Sequence, residues 1–184
     1  MKIKNSIYII GEGITEKYYF QHLKKIKGYR YSIRPRFFSG NTSIFLLEKK
    51  VQEMLDVGVM VICVFDADVT DRNNVERQKM ESFKKRFQKF NNLIICDTLP
   101  SIEFWFLLHY KLTNKKFSSY QELEKEVIKF IPDYMKSEKF LKNESWVVDL
   151  VGRIDYAMKN SLLCANRNSS YSNIYKAINY LEKH

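Results

Sequence analysis

Apolar residues fall into two kinds of pattern along this chain, and the change between them comes near Pro100. Before it, short apolar runs at 7–10, 31–38, 59–65 and 93–96 read as strands, the second alternating with Arg34 and Arg36. The stretches between them carry helical spacing. Tyr19, Phe20, Leu23 and Ile26 mark one helix, which Thr15 caps and Gly28 ends. Phe45, Leu46, Val51, Met54 and Leu55 mark a second, entered through the turn at 39–43 and stopped at Gly58. Met80, Phe83 and Phe87 mark a third, spanning 75–90. Strands alternating with helices argue for an α/β fold with a mainly parallel four-stranded sheet. The run at 59–65 is β-branched and apolar throughout, as expected of a central strand buried on both faces.

After Pro100 the pattern is helical only. Ser101 caps the segment 102–110, which is apolar on nearly all sides and therefore a buried helix. Glu103 within it requires a partner. His109 reads as a hydrogen-bonded structural histidine in preference to a catalytic one. Three further stripes follow, Tyr120/Leu123/Val127/Phe130, Trp146/Leu150/Ile154/Ala157/Met158 and Ile174/Ala177/Ile178/Leu181, separated by polar breaks at 111–116 and 166–173. The expected organisation is a core over residues 1–110 and a helical extension over 111–184, packed on it as one compact unit.

Charge adds a direction. The 184 residues include 31 Lys and Arg against 21 Asp and Glu, a net charge of +10, which favours a polyanionic partner, nucleic acid first. Lys84, Lys85, Arg86 and Lys89 could track a phosphate backbone, although a solvated helix face is the preferred reading of that run. The three cysteines, Cys63, Cys96 and Cys164, form no CxxC pair and read as reduced core thiols of a cytoplasmic protein. No apolar segment approaches the roughly 20 residues needed to cross a bilayer, and the N-terminus has no signal-peptide pattern.

Within this basic chain, acidic residues gather where the predicted strands end. Asp66 and Asp68 close the central strand, and in an extended backbone both would point the same way. Like charges so close call for a cation, and hard oxygen ligands suit Mg²⁺ or Mn²⁺. The competing reading is a loop that caps the next helix through Asp71 and Asn73. Glu12 lies in the Gly11–Gly13 turn after the first strand, and Glu16 four residues on, where a helix N-terminus alone would also favour a carboxylate. With Glu103, five carboxylates converge on one sheet edge. Two metal ions roughly 4 Å apart at such an edge could activate water and stabilise a leaving oxygen in phosphodiester cleavage.

A strand followed by Glu12-Gly13, then a strand ending in Asp66-Ala67-Asp68, resembles the Toprim domain of topoisomerases, primases and overcoming-lysogenization-defect nucleases. More narrowly, Gly11-Glu12-Gly13-Ile14-Thr15-Glu16-Lys17-Tyr18-Tyr19-Phe20 and Pro100-Ser101-Ile102-Glu103-Phe104-Trp105-Phe106-Leu107-Leu108-His109 look like the two signatures of the RloB-like family. The likeness covers nearly the whole chain. It departs at Leu99-Pro100-Ser101-Ile102, where that family more often has Ser-Asn-Pro followed by a small residue. The resemblance implies a Toprim-like core and an Mg²⁺- or Mn²⁺-dependent nuclease with Glu12, Asp66 and Asp68 as catalytic residues. Glu12, Glu16, Asp66, Asp68 and Glu103 would be the metal ligands. It also implies a role in phage defence and an AAA- or ABC-type ATPase partner. DNA and tRNA are both open as substrate, and Lys159, Arg153 and Arg167 are the candidates for a basic residue at the phosphate. A homodimer and the absence of membrane association complete the expected partners. The alternative from another class is a non-catalytic or dormant subunit that binds the ATPase.

Overall fold

The computed structural model describes residues 6–11, 13–29, 32–37, 43–68, 73–164 and 169–184, with 32–37 described by their backbone alone. Five strands form one sheet: β1 (Ser6–Gly11), β2 (Ser32–Phe37), β3 (Met60–Asp66), β4 (Leu93–Leu99) and β5 (Tyr171–Ser172), in the order β2-β1-β3-β4-β5. The first four run parallel, as the alternating pattern predicts, so β1, β3 and β4 end at the same edge. The two-residue β5 pairs antiparallel with Thr98 and Leu99. It lies inside the polar break at 166–173 and is too short to leave a pattern of its own.

Two apolar layers cover the sheet. One holds Ile10, Val61, Cys63 and Phe65 of the sheet with Leu47, Val51 and Leu55 of helix α2 (Ile44–Asp56) and Met80, Phe83 and Phe87 of helix α3 (Asn74–Phe87). The other holds Ile7, Ile9, Ile62, Val64 and Cys96 with helix α1 (Ile14–Lys27), helix α4 (Glu103–Leu108) and the helices that follow. Successive residues of β3 thus enter opposite layers, as a strand requires. These later helices are α5 (Tyr120–Val127), α6 (Glu138–Leu141), α7 (Ser145–Val151), α8 (Ile154–Leu163) and α9 (Ile174–Leu181).

Several local expectations are corrected. Phe45 is 71% exposed and Leu46 also faces out, because the buried stripe of α2 is Leu47, Val51 and Leu55 at fourfold spacing. Gly13, not Thr15, is the N-cap of α1, so Thr15 and Glu16 sit inside the first turn and are buried. Ser101 does not cap α4: Ile102 does, and the Ser101 hydroxyl turns to Glu103 instead. The stripe from Trp146 to Met158 belongs to two helices, interrupted at Gly152 and Arg153. Other expectations hold: Gly28 is left-handed at the end of α1, Ser43 caps α2, and Asn73 caps α3 by accepting from the N–H groups of Val75 and Glu76. The expected turn at 39–42 and Asp71 lie outside the described residues. All three cysteines are buried and none is in a disulfide, and none of the described helices is long and apolar enough to cross a membrane.

Candidate functional site at the carboxyl edge of the sheet

The edge where β1, β3 and β4 end gathers three of the five predicted carboxylates. Asp66 is the last residue of β3, and its Oδ1 accepts from the backbone N–H of Ile102 at 3.0 Å. This bond ties the end of the central strand to the start of α4. Glu103 opens α4 and is fully buried. Its Oε2 accepts from the Ser101 hydroxyl at 2.5 Å and its Oε1 from the Tyr134 hydroxyl at 2.8 Å. Such paired donors satisfy both oxygens of a carboxylate that water does not reach.

Glu16 approaches from α1. Its position three residues after the N-cap lets the carboxylate fold back on the backbone N–H of Gly13, as in a capping box. Gly13 allows this approach: a Cβ there would lie 3.0 Å from Glu16 Oε2. Only 1% of Glu16 is exposed, and its Oε2 has no hydrogen-bond partner. Burial raises the pKa of Glu16 first and foremost, and the Glu103 charge adds to the rise, while the backbone N–H groups and Lys136 oppose it.

Lys136 is the residue that sequence reasoning missed. It sits in the turn between α5 and α6, and its Nζ lies 3.5 Å from Glu103 Oε1. Burial works to lower its pKa, but Glu103, then Asp66, then Glu16 outweigh that and raise it. The Lys136 ammonium therefore interacts with three carboxylates contributed by α1, β3 and α4. Nothing in the spacing around Tyr134-Met135-Lys136 announces this, because the partners are more than thirty positions away in sequence. The basic candidates named from sequence go elsewhere. Arg153 stacks over the Tyr110 ring at 5.0 Å, no contact joins Lys159 to these carboxylates, and Arg167 lies outside the described residues.

The remaining predicted site residues divide. Glu12 lies outside the described residues. The strand stops at Asp66, so the extended alternation that would align Asp66 with Asp68 does not continue. Asp68 is half-buried, and no hydrogen bond or ion pair joins it to Glu16, Asp66 or Glu103 among the described residues. Among the described residues, no group of three His, Cys, Asp or Glu side chains is placed to hold a metal ion. The donor set is nonetheless of the right kind for one: carboxylate oxygens suit a hard divalent cation, and Glu16 Oε2 is an orphaned acceptor beside them.

Neighbouring polar groups are structural. Asp97 of β4 is buried and accepts from Lys84 Nζ at 2.7 Å, the Tyr171 hydroxyl at 2.8 Å and Asn173 Nδ2 at 2.8 Å. Burial works to raise its pKa, but the Lys84 ammonium and these donors outweigh it, and the carboxyl lies below its ordinary value. Lys84 is thereby tied to Asp97, Arg86 pairs with Glu48 and Lys89 lies over the Phe90 ring, so three of the four basic residues of that run have intramolecular partners. His109 is buried, its Nδ1–H donates to the Trp105 carbonyl at 2.8 Å, and burial lowers its pKa to about 4. It is the neutral structural histidine that the sequence suggests.

No curated protein and no solved structure gives a significant match to this chain. A family model does, over residues 7–181, which takes in every strand, the carboxylates of the sheet edge and the helices through α9. The chain belongs to the family described as RloB-like protein.

Proposed function

We propose that this chain is a metal-dependent nuclease of the Toprim type, cleaving phosphodiester bonds in DNA or RNA such as tRNA, in bacterial anti-phage defence. The observation that carries the reading is the gathering of carboxylates at the sheet edge. Among the described residues, Glu16, Asp66 and Glu103 lie around the Lys136 ammonium there, within a chain of net charge +10. Carboxylate oxygens gathered at one edge suit a hard divalent cation, and a positive surface gathers phosphates. In this reading Mg²⁺ or Mn²⁺ is held by Glu16, Asp66 and Glu103 together with Glu12 and Asp68, and Glu12, Asp66 and Asp68 carry the chemistry. Glu103 keeps lone pairs for a cation, since a carboxylate offers about four acceptor sites and two of its own are taken by Ser101 and Tyr134. The metal, when bound, would supply an activated water and charge stabilisation of the leaving oxygen. Asp66 is held for that task by Ile102 N–H, and Glu16 by the α1 N-terminus.

A second reading is supported by Lys136, whose ammonium already stands among the carboxylates: a dormant subunit whose role is to bind an ATPase. One assay separates the two. Plasmid, single-stranded DNA and tRNA are incubated with the chain and Mn²⁺, with and without a candidate AAA- or ABC-type ATPase, using Asp68→Ala as control. Cleavage that is lost in Asp68→Ala supports the nuclease. No cleavage under any condition, with no metal bound in calorimetry, overturns it in favour of the dormant subunit.

A further inference from the structure

The carboxylate pocket is closed by a residue of the chain itself. Tyr134 and Lys136 both address the same oxygen, Oε1 of Glu103, at 2.8 and 3.5 Å. They differ in what surrounds them. Tyr134 is buried among Phe106, Phe140 and Trp146 and cannot move without disturbing that aromatic cluster. Lys136 keeps 35% of its side chain in solvent, and its ammonium lies 5.0 Å from the centre of the Tyr120 ring. It therefore stands at the mouth of the pocket, on a flexible stem, between water and two carboxylates that water hardly reaches.

We propose that Lys136 is a resident counter-ion of this pocket, and that a divalent cation enters only by displacing its ammonium. The inference rests on the metal reading above and adds a competition to it. Two observations support it. Glu16 Oε2 is buried without a hydrogen-bond partner, so the pocket retains an acceptor for a second cation. Yet the ammonium and an incoming ion need the same oxygens and repel each other, so both cannot hold Glu103 Oε1 at contact distance. The escape route is short, because the stem already reaches solvent. Metal entry then costs the protein one ion pair, and the apparent affinity is set by the difference between the two cations rather than by the carboxylates alone.

The test measures Mn²⁺ binding to the full chain by electron paramagnetic resonance, for wild type, Lys136→Met and Lys136→Arg. Removing the resident charge is expected to tighten binding by about tenfold or more, whereas Lys136→Arg keeps the competitor and stays at or below the wild-type affinity. A second measurement needs no variant. Acylation of Lys136 in the wild type, followed by mass spectrometry and normalised to the exposed Lys125, is expected to rise severalfold when Mg²⁺ is added. Wild-type binding of Mn²⁺ with equal or weaker binding by Lys136→Met overturns the competition and leaves the metal reading standing. So does an acylation rate that Mg²⁺ does not change at a concentration that saturates the site. Absence of binding by both wild type and Lys136→Met overturns the competition and the metal reading together. Should Lys136→Met not fold, as circular dichroism would show, the acylation experiment decides.

Discussion

Removing the Asp97 carboxylate probes how the sheet edge is held. In Asp97→Ala, Tyr171 and Asn173 lose their acceptor and Lys84 loses its counter-charge. Breaking a buried ion pair from one side costs about 3–5 kcal/mol. The figure needs reduction here, because 41% of the Lys84 side chain is exposed and its ammonium can turn to water. The two neutral donors left behind cost roughly 1 kcal/mol or more each. A loss of about 2–4 kcal/mol is therefore expected, which for a chain of this size lowers Tm by roughly 4–16 °C. Lys84→Ala should cost roughly 1.5–3 kcal/mol, since Tyr171 and Asn173 remain as donors but the buried Asp97 carboxylate loses the Lys84 charge. The pH dependence follows from the sign of the shift. The folded pKa of Asp97 is lowered, so its contribution is complete above the unfolded value of about 3.9 and is lost as pH falls through the folded value. Urea unfolding of wild type, Asp97→Ala and Lys84→Ala at neutral pH and near pH 3 provides the assay. A wild-type to Asp97→Ala gap under about 1 kcal/mol at neutral pH, or one that does not shrink in acid, would refute the reasoning.

Gly13→Ala places a Cβ 3.0 Å from Glu16 Oε2, so the carboxylate must shift, and calorimetry should show Mn²⁺ binding weakened several-fold. Tyr134→Phe removes a hydrogen bond to a buried carboxylate and is expected to cost roughly 1.5–3 kcal/mol in chemical unfolding; a change within error would show that Ser101 and Lys136 suffice. The His109 imidazole should show no titration in NMR spectra between about pH 5 and 8, because its pKa is lowered to about 4. The unfolded chain takes up that proton first, so this histidine destabilises the fold as pH drops from about 6.5 towards 4.

The sequence by itself determined the layers of this protein. The unbroken apolar run of β3 is buried on both faces and the shorter runs of β1 and β4 flank it, so all three were legible, and with them the edge at which Asp66 and Glu103 gather. The segment around Trp105 was legible as a buried helix for the same reason, and Glu103 within it as a charge in need of a partner. Local rules also identified Gly28 and Asn73 as helix boundaries, since capping depends on residues only a few positions apart. What only the tertiary structure decided was which distant side chains answer those needs. Lys136 and Tyr134 meet Glu103 across more than thirty residues, and Tyr171 and Asn173 meet Asp97 across more than seventy. The strand β5 exists because the end of β4 offers it hydrogen bonds, and its own two residues carry no period. Even the outward turn of Phe45 depends on where α2 rests on the sheet. Periodicity records burial along one element, whereas the pairing of charges and the choice of face are settled where elements meet, and that information is not local in the chain.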